Sequence, residues 1–295
     1  MMVNKVLKRG AIATTTIEDS KLEPILRWAG GKRQHKWLFE AIANVFNSNR
    51  HRLIEPFCGG LAIALGVDPK WALLNDANPY LINLYRQIKS NFCGLGIDPD
   101  LKNYTSKESY YKLRDRFNVL CKLDTSFFRR AELAELFYYL NRTGFNGLCR
   151  FNQSGGYNVP YGKLSNPNLD HDFGAYRDRF KNWVFTCMDF GDIQVFPHDI
   201  VVADPPYDVA KGKQDHDYVA GGFGWDDQVR LANWLASHNV PIFACNLATD
   251  RIVDLYSGLG FDIQFVEAPR AIACNGERAK VSEILATKNL EAIAS

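Results

Sequence analysis

Asp204, Pro205, Pro206 and Tyr207 follow directly on the apolar run Ile200-Val201-Val202. A strand that ends this way carries a carboxylate and an aromatic ring out of the sheet on a stiff backbone. The two prolines lack an N–H and fix φ, so the local chain presents carbonyl acceptors. Such acceptors, with Asp204, suit both hydrogens of an amino group, and Tyr207 offers a flat face for the ring that bears it. An exocyclic amine on a heteroaromatic ring is a poor nucleophile because its lone pair is conjugated. Acceptors on both hydrogens draw it toward a tetrahedral geometry and stabilise the positive charge that grows as an electrophilic carbon arrives. Asp204, Pro205 and Tyr207 are therefore the catalytic candidates.

The transferred group must come from a neighbouring ligand. In "EPFCGGLA" the strand-like "RLIEPF" (Arg52–Phe57) runs into Gly59 and Gly60, which let a ligand approach the backbone. The next strand-like stretch, "WALLNDANP", ends in Asp76, a place where an acid grips ribose hydroxyls in nucleotide-binding α/β units. No G-x-x-x-x-G-K-[ST] occurs, and the glycines lack the G-x-G-x-x-G spacing of a pyrophosphate binder. A ribose-bearing ligand without a polyphosphate fits, and S-adenosylmethionine is the candidate. A methyl acceptor that is a base inside a duplex would have to be flipped out to reach the pocket.

These residues need a frame to hold them. Strand patterns alternate with helical ones at both ends of the chain, which predicts an α/β fold with an open, mostly parallel sheet. Ligands of such folds lie beyond the C-terminal ends of the strands, where Phe57–Gly60, Asn75–Asn78 and Asp204–Tyr207 all fall. The spacing predicts helices over "YLINLYRQIKSN", over "SKESYYKLRDRFNVL" with Ser106 as cap, and over "RRAELAELFYYLNRTG" with Leu133, Leu136, Phe137 and Leu140 on one face. "FNGLCRFNQSGGYNVPYGK" reads as a hairpin around Ser154-Gly155-Gly156, and "DDQVRLANWLASH" as a helix capped by Asp226. Residues 1–20 read as a tail. Residues 21–94 and 181–295 read as the sheet-bearing domain, and 95–180 as an inserted, mostly helical lobe. "DVAKGKQDHDYVAGGFGW", after the tetrapeptide, reads as a lid over the bound base.

The motifs together resemble the Dam-type DNA N6-adenine methyltransferases over nearly the whole chain. "LRWAGGK" (Leu26–Lys32) resembles their N-terminal cofactor motif, "EPFCGG" their Gly loop, "NDAN" their second-strand acid and "DPPY" their catalytic motif. "NRTGFNGLCRFNQSGGYNVPYG" (Asn141–Gly162) resembles their DNA-reading hairpin. The resemblance implies a Rossmann-like methyltransferase sheet and S-adenosylmethionine contacts from Trp28, Lys32, Asp76 and Asp204, with Phe57 and Gly59 beside them. It also implies Tyr207 stacked on a flipped adenine, and GATC as the target. Two departures stand out: Leu61 where a third glycine is common, and Arg27 where lysine is common.

On the DNA side, Arg150 suits guanine O6 and N7 through two hydrogen bonds. Phe145 suits a wedge in the vacated stack, and Leu148 and Pro160 suit a thymine methyl. Arg142 and Lys163 suit phosphates. Asn146, Asn158, Tyr161 and Arg27 complete the expected contact set. The same tetrapeptide chemistry also fits RNA adenine, cytosine N4 or a glutamine amide, and a DNA-binding protein without catalysis is the rival from another class.

Composition narrows the setting. The 295 residues carry a net charge of only +2, so overall charge does not announce a nucleic-acid partner. Two windows, Glu23 to Glu40 and Glu135 to Asp170, hold no acid between their ends but hold Arg27, Lys32, Arg33 and Lys36, and Arg142, Arg150 and Lys163. They predict a concentrated positive face toward double-stranded DNA. Seven scattered cysteines, never spaced C-x-x-C, argue against a disulfide framework and a zinc cluster, and no metal is expected. No apolar run approaches the roughly 20 residues of a membrane span. A cytoplasmic, nucleoid-associated monomer is expected.

Overall fold

The computed structural model describes residues 22–90, 105–123, 127–164, 167–208, 222–269 and 280–293. Its strands are β1 (Arg52–Glu55), β2 (Trp71–Asn75), β3 (Trp183–Thr186), β4 (Asp199–Ala203), β5 (Ile242–Leu247), β6 (Asp262–Pro269) and β7 (Lys280–Lys288). They form one sheet in the order β3-β2-β1-β4-β5-β7-β6. The pairs β1–β2, β1–β4, β2–β3 and β4–β5 are parallel. β7 runs antiparallel to both β5 and β6, so the sheet closes on a reversed edge. The expected mostly parallel sheet is therefore present.

β4 shows why its sequence is apolar after Asp199, whose buried carboxylate is paired with Arg52. All five of its residues are buried, because both faces of the sheet are covered. Ile200 and Val202 point into one core with Leu53, Leu74 and Phe243. Val201 and Ala203 point into the other with Ile54, Ile242 and Ala244. Helices α7 (Trp225–Ala236) and α8 (Asp250–Gly258) contribute Leu231, Leu235, Ile252 and Tyr256 to that second core.

The first core runs without a break into the helices between β2 and β3. These are α3 (Pro79–Ser90), α4 (Lys107–Leu120), α5 (Phe127–Thr143) and α6 (Phe173–Phe180). Tyr110, Phe117, Phe137 and Tyr157 belong to the same cluster as Leu53 and Val202. The helical insertion thus shares the core of the sheet.

One expectation, the cap of the helix after Gly224, needs correction, and two gain detail. Helix α5 does not bury one face alone: Leu133, Ala134, Leu136, Phe137, Tyr138, Tyr139 and Leu140 are all buried. It packs against α3 and α4 together, and the tyrosine hydroxyl of Tyr138 meets His171 Nδ1 at 2.6 Å. Helix α7 is capped by Gly224, whose N–H donates to Asp227 Oδ2 at 3.0 Å, and Asp226 lies inside the first turn. The hairpin is a loose one, with isolated antiparallel bridges Gly144–Tyr161 and Phe151–Tyr157 and a 3-10 turn over Phe145–Gly147. Val159 and Tyr157 are drawn into the helical core, which competes with a regular ladder. The Ser106 cap of α4 is present, with its side chain accepting from the Ser109 N–H at 3.1 Å.

Candidate active site

The C-terminal ends of β1, β2 and β4 are adjacent in the sheet, so the Gly loop, Asp76 and Asp204 converge on one edge. The chain around Tyr207 is held from several sides. The Pro206 carbonyl accepts from Gln228 Nε2 at 2.8 Å, and Gln228 Oε1 in turn accepts from Asn246 Nδ2 at 2.9 Å. The Asp208 N–H donates to Asn246 Oδ1 at 3.0 Å, and the Asp208 carboxylate takes Arg251 and Thr249. Of the carbonyl acceptors expected here, Gln228 takes that of Pro206.

Lys32 lies at the centre. It is 3% exposed, and its Nζ is 3.1 Å from Asp204 Oδ1 and 3.8 Å from Glu283 Oε2. The same ammonium lies 4.4 Å from the centroid of the Tyr207 ring. The Tyr207 hydroxyl donates to Glu283 Oε2 at 2.9 Å. Burial works to lower the Lys32 pKa, but Asp204 and Glu283 outweigh it and hold the ammonium above its ordinary value. Burial pushes the Asp204 carboxyl up and Lys32 pulls it back. His35 Nε2 is 3.8 Å from Glu283 Oε2, and burial together with Lys32 lowers the imidazole pKa.

The Gly loop is shaped by its neighbours. Gly59 has φ +43°, and a Cβ there would stand 2.7 Å from Trp28 Nε1. A Cβ on Gly60 would stand 2.8 Å from Trp28 Cβ, so the indole packs directly on the loop backbone. Leu61 has φ 64° at the start of α2 (Ala62–Val67), a left-handed conformation that explains why glycine suits this position. Its side chain is 1% exposed and packs in the core. The Tyr85 hydroxyl holds the Gly59 carbonyl at 2.7 Å. Phe57 meets Phe190 and Phe223 with ring centroids 5.7 and 5.4 Å away.

Asp76 accepts the Gly59 N–H on Oδ2 at 3.1 Å and the Asn78 N–H on Oδ1 at 2.9 Å. Burial pushes its carboxyl up to about 6, against those two hydrogen bonds. Asn78 Oδ1 caps α3 through the Tyr80 and Leu81 N–H groups at 3.0 and 3.2 Å, and its Nδ2 reaches Cys149 Sγ at 3.4 Å. One short stretch thus links the Gly loop to the hairpin.

On the hairpin, Phe145 is 47% exposed and its N–H donates to the Pro160 carbonyl at 2.9 Å. Asn146, Pro160 and Lys163 are exposed, and Leu148 and Tyr161 are half-buried. Arg150 is exposed and clipped to Asn158, with Nε on Oδ1 at 2.7 Å and Nη2 on the carbonyl at 3.4 Å. Arg27 lies beside Gly147, where a Cβ would clash with Arg27 Cβ. Arg142 does not face outward. It is buried, with Nε on the Asn168 carbonyl at 2.9 Å and Nη1 on that of Ile25 at 3.4 Å. With Lys32 also buried, two cations of the basic windows serve the interior, and the positive face is smaller than expected.

Sequence reasoning missed Glu283, Asn141 and Tyr85. Glu283 was detectable as the acid inside "KVSEILATK", a strand otherwise apolar at its centre. Residues 209–221, most of the expected lid, lie outside the described residues.

Comparison with known proteins agrees with this geometry. Residues 28–272 match the D12 class N6 adenine-specific DNA methyltransferases. The chain is 33% identical over 280 residues to the retron Ec67 DNA adenine methylase of Escherichia coli, covering 90% of this chain and 91% of that protein. It is 33% identical to a DNA adenine methylase of Haemophilus influenzae, over 90% of this chain and 93% of the relative. It is 32% identical to the type II methyltransferase M1.LlaDCHI of Lactococcus lactis, over 90% and 95%. The chain belongs to the D12 class of N6 adenine-specific DNA methyltransferases. It is an adenine-specific DNA methyltransferase, and among the described residues no helix is long and apolar enough to cross a membrane.

Proposed function

We propose that the protein transfers a methyl group from S-adenosylmethionine to N6 of an adenine flipped out of duplex DNA, within GATC. The observation that carries this reading is the cluster of Lys32, Asp204 and Tyr207 beside the Gly loop and Asp76. Asp76 takes the ribose hydroxyls, Trp28, Phe57 and Gly59 shape the cofactor cleft, and Lys32 takes the cofactor carboxylate. Asp204 and the Pro205 carbonyl accept the two amine hydrogens, and Tyr207 stacks on the adenine ring. S-adenosylmethionine, when bound, would supply an electrophilic methyl group with a thioether as the leaving group. The amine nitrogen turns cationic next to Asp204 and then releases a proton. Stabilising that charge at a preorganised carboxylate is the chain's main contribution to the rate.

Residues 95–180 serve as the DNA-reading part. Arg150, whose guanidinium is braced by Asn158, pairs with guanine, and Phe145 fills the vacated stack. GATC rests on the likeness of Asn141–Gly162 to the hairpin of the Dam-type enzymes, and relatives named DNA adenine methylases support adenine as the methylated base. The experiment is methyl transfer from labelled S-adenosylmethionine to a GATC duplex and to each single-base variant. Transfer confined to the GATC duplex is expected. Equal rates on all of them would refute the assigned site.

A further inference from the structure

Asn141 stands in the last turn of α5, and it is fully buried. Its amide is spent on two loops far apart in sequence. Oδ1 accepts the Arg27 N–H at 2.9 Å. Nδ2 donates to the Arg27 carbonyl at 2.9 Å and to the Gly147 carbonyl at 3.0 Å. Both amide hydrogens and one acceptor site are used, so three main-chain groups of irregular backbone depend on one side chain. No sheet ladder fixes these segments, and buried backbone groups must find partners.

The two segments also touch directly. Gly147 has φ +64°, and a Cβ there would clash with Arg27 Cβ. On the other side of Arg27, Trp28 packs on Gly59 and Gly60. The dipeptide Arg27-Trp28 therefore bridges the Gly loop and the start of the hairpin, and Asn141 sets its register against Gly147.

We infer that Asn141 is a specificity-determining positioning residue: it fixes where Arg27 and the Phe145–Leu148 turn stand relative to the base pairs, without touching DNA itself. The inference rests on reading residues 145–160 as the base-reading segment. An apolar residue in its place leaves Arg27 and Gly147 free to slide past each other. Displacement of the turn by even a fraction of a base-pair rise moves donors off base edges. Lys163 follows Gly162, whose N–H is held by the Thr143 carbonyl at 2.9 Å and not by Asn141, so its phosphate contact is unaffected.

The test measures methyl transfer by wild type, Asn141→Ala, Asn141→Asp and Gly147→Ala on the cognate duplex and on each single-base variant. Cofactor affinity without DNA and the thermal midpoint are measured alongside. Asn141→Asp keeps the acceptor for the Arg27 N–H and removes both donors. Gly147→Ala displaces Arg27 while leaving the buried amide intact. All variants that fold should lose about tenfold of discrimination, the equivalent of one good base contact, at the same base pair. Their kcat on the cognate site should change less than KM, and cofactor affinity should stay within about twofold of wild type. Folded variants with wild-type discrimination, whatever their thermal midpoint, would overturn the inference while leaving the base-reading segment in place. A wild type without base preference would overturn both. If Asn141→Ala does not fold, Gly147→Ala and Asn141→Asp decide the outcome by the same readout.

Discussion

Acidifying the medium should weaken cofactor binding through Asp76. Burial raises this carboxyl from its ordinary 3.8 to about 6, because the ionised form loses hydration that the Gly59 and Asn78 N–H groups replace only in part. A ribose hydroxyl donating to Asp76 favours the ionised form, so protons compete with the cofactor. For one titrating group at about 6, affinity is flat above pH 7 and falls by about tenfold at pH 5. The ligand-free fold responds in the opposite sense. The folded state binds more protons than the unfolded chain between about pH 4 and pH 6, so stability falls as pH rises through that window. The ceiling on that loss is about 3 kcal/mol at neutral pH. Asp76→Asn removes the charge and keeps one acceptor, so the ligand-free variant should be as stable as wild type or more so at pH 7.5, and bind the cofactor more weakly. The assay is titration calorimetry with S-adenosylmethionine and no DNA, from about pH 5 to pH 8, with thermal unfolding of both proteins. An affinity independent of pH in wild type, or one that falls equally in Asp76→Asn, would refute the reasoning.

Asp204→Ala removes an acceptor at the reacting amine, so methyl transfer should fall by at least about a hundredfold while duplex binding by gel shift persists; a near wild-type rate would disprove the assigned role. Gly59→Ala combines φ +43° with a Cβ 2.7 Å from the Trp28 indole, and calorimetry should show both a loss of stability of about 1–3 kcal/mol and weaker cofactor binding. Arg150→Ala should lose about 1–3 kcal/mol of discrimination at one guanine. Lys163→Ala should instead weaken binding to every duplex alike and make its salt dependence shallower by about one ion, as rates and binding at several salt concentrations would show.

Much of this frame is legible in the sequence because it rests on local chemistry. β4 is apolar on both faces, so it announces a central strand, and the polar residues that stop β1, β2 and β4 announce the edge where ligands sit. The Ser106 cap is a local signal and is present as expected. What was not legible depends on contacts distant in sequence. Arg142 looks like a surface cation until the Asn168 and Ile25 carbonyls are folded around it. Glu283 reaches Tyr207 only because β7 turns back beside β5. Asn141 ties Arg27 to Gly147 across more than a hundred residues, and no periodicity marks such a link. Helix α5 blurs its face pattern because Tyr138 and Tyr139 are buried beside Leu136, Phe137 and Leu140, leaving only a narrow polar side at Arg130, Glu132 and Glu135.

The central claim is that the amine held by Asp204 and stacked on Tyr207 belongs to adenine. The most direct measurement is to methylate a GATC duplex with labelled S-adenosylmethionine, digest it to nucleosides and identify the labelled base by mass. The account predicts the label in N6-methyldeoxyadenosine, present with wild type and absent with Asp204→Ala. Label in N4-methyldeoxycytidine, or in no base at all, would contradict it.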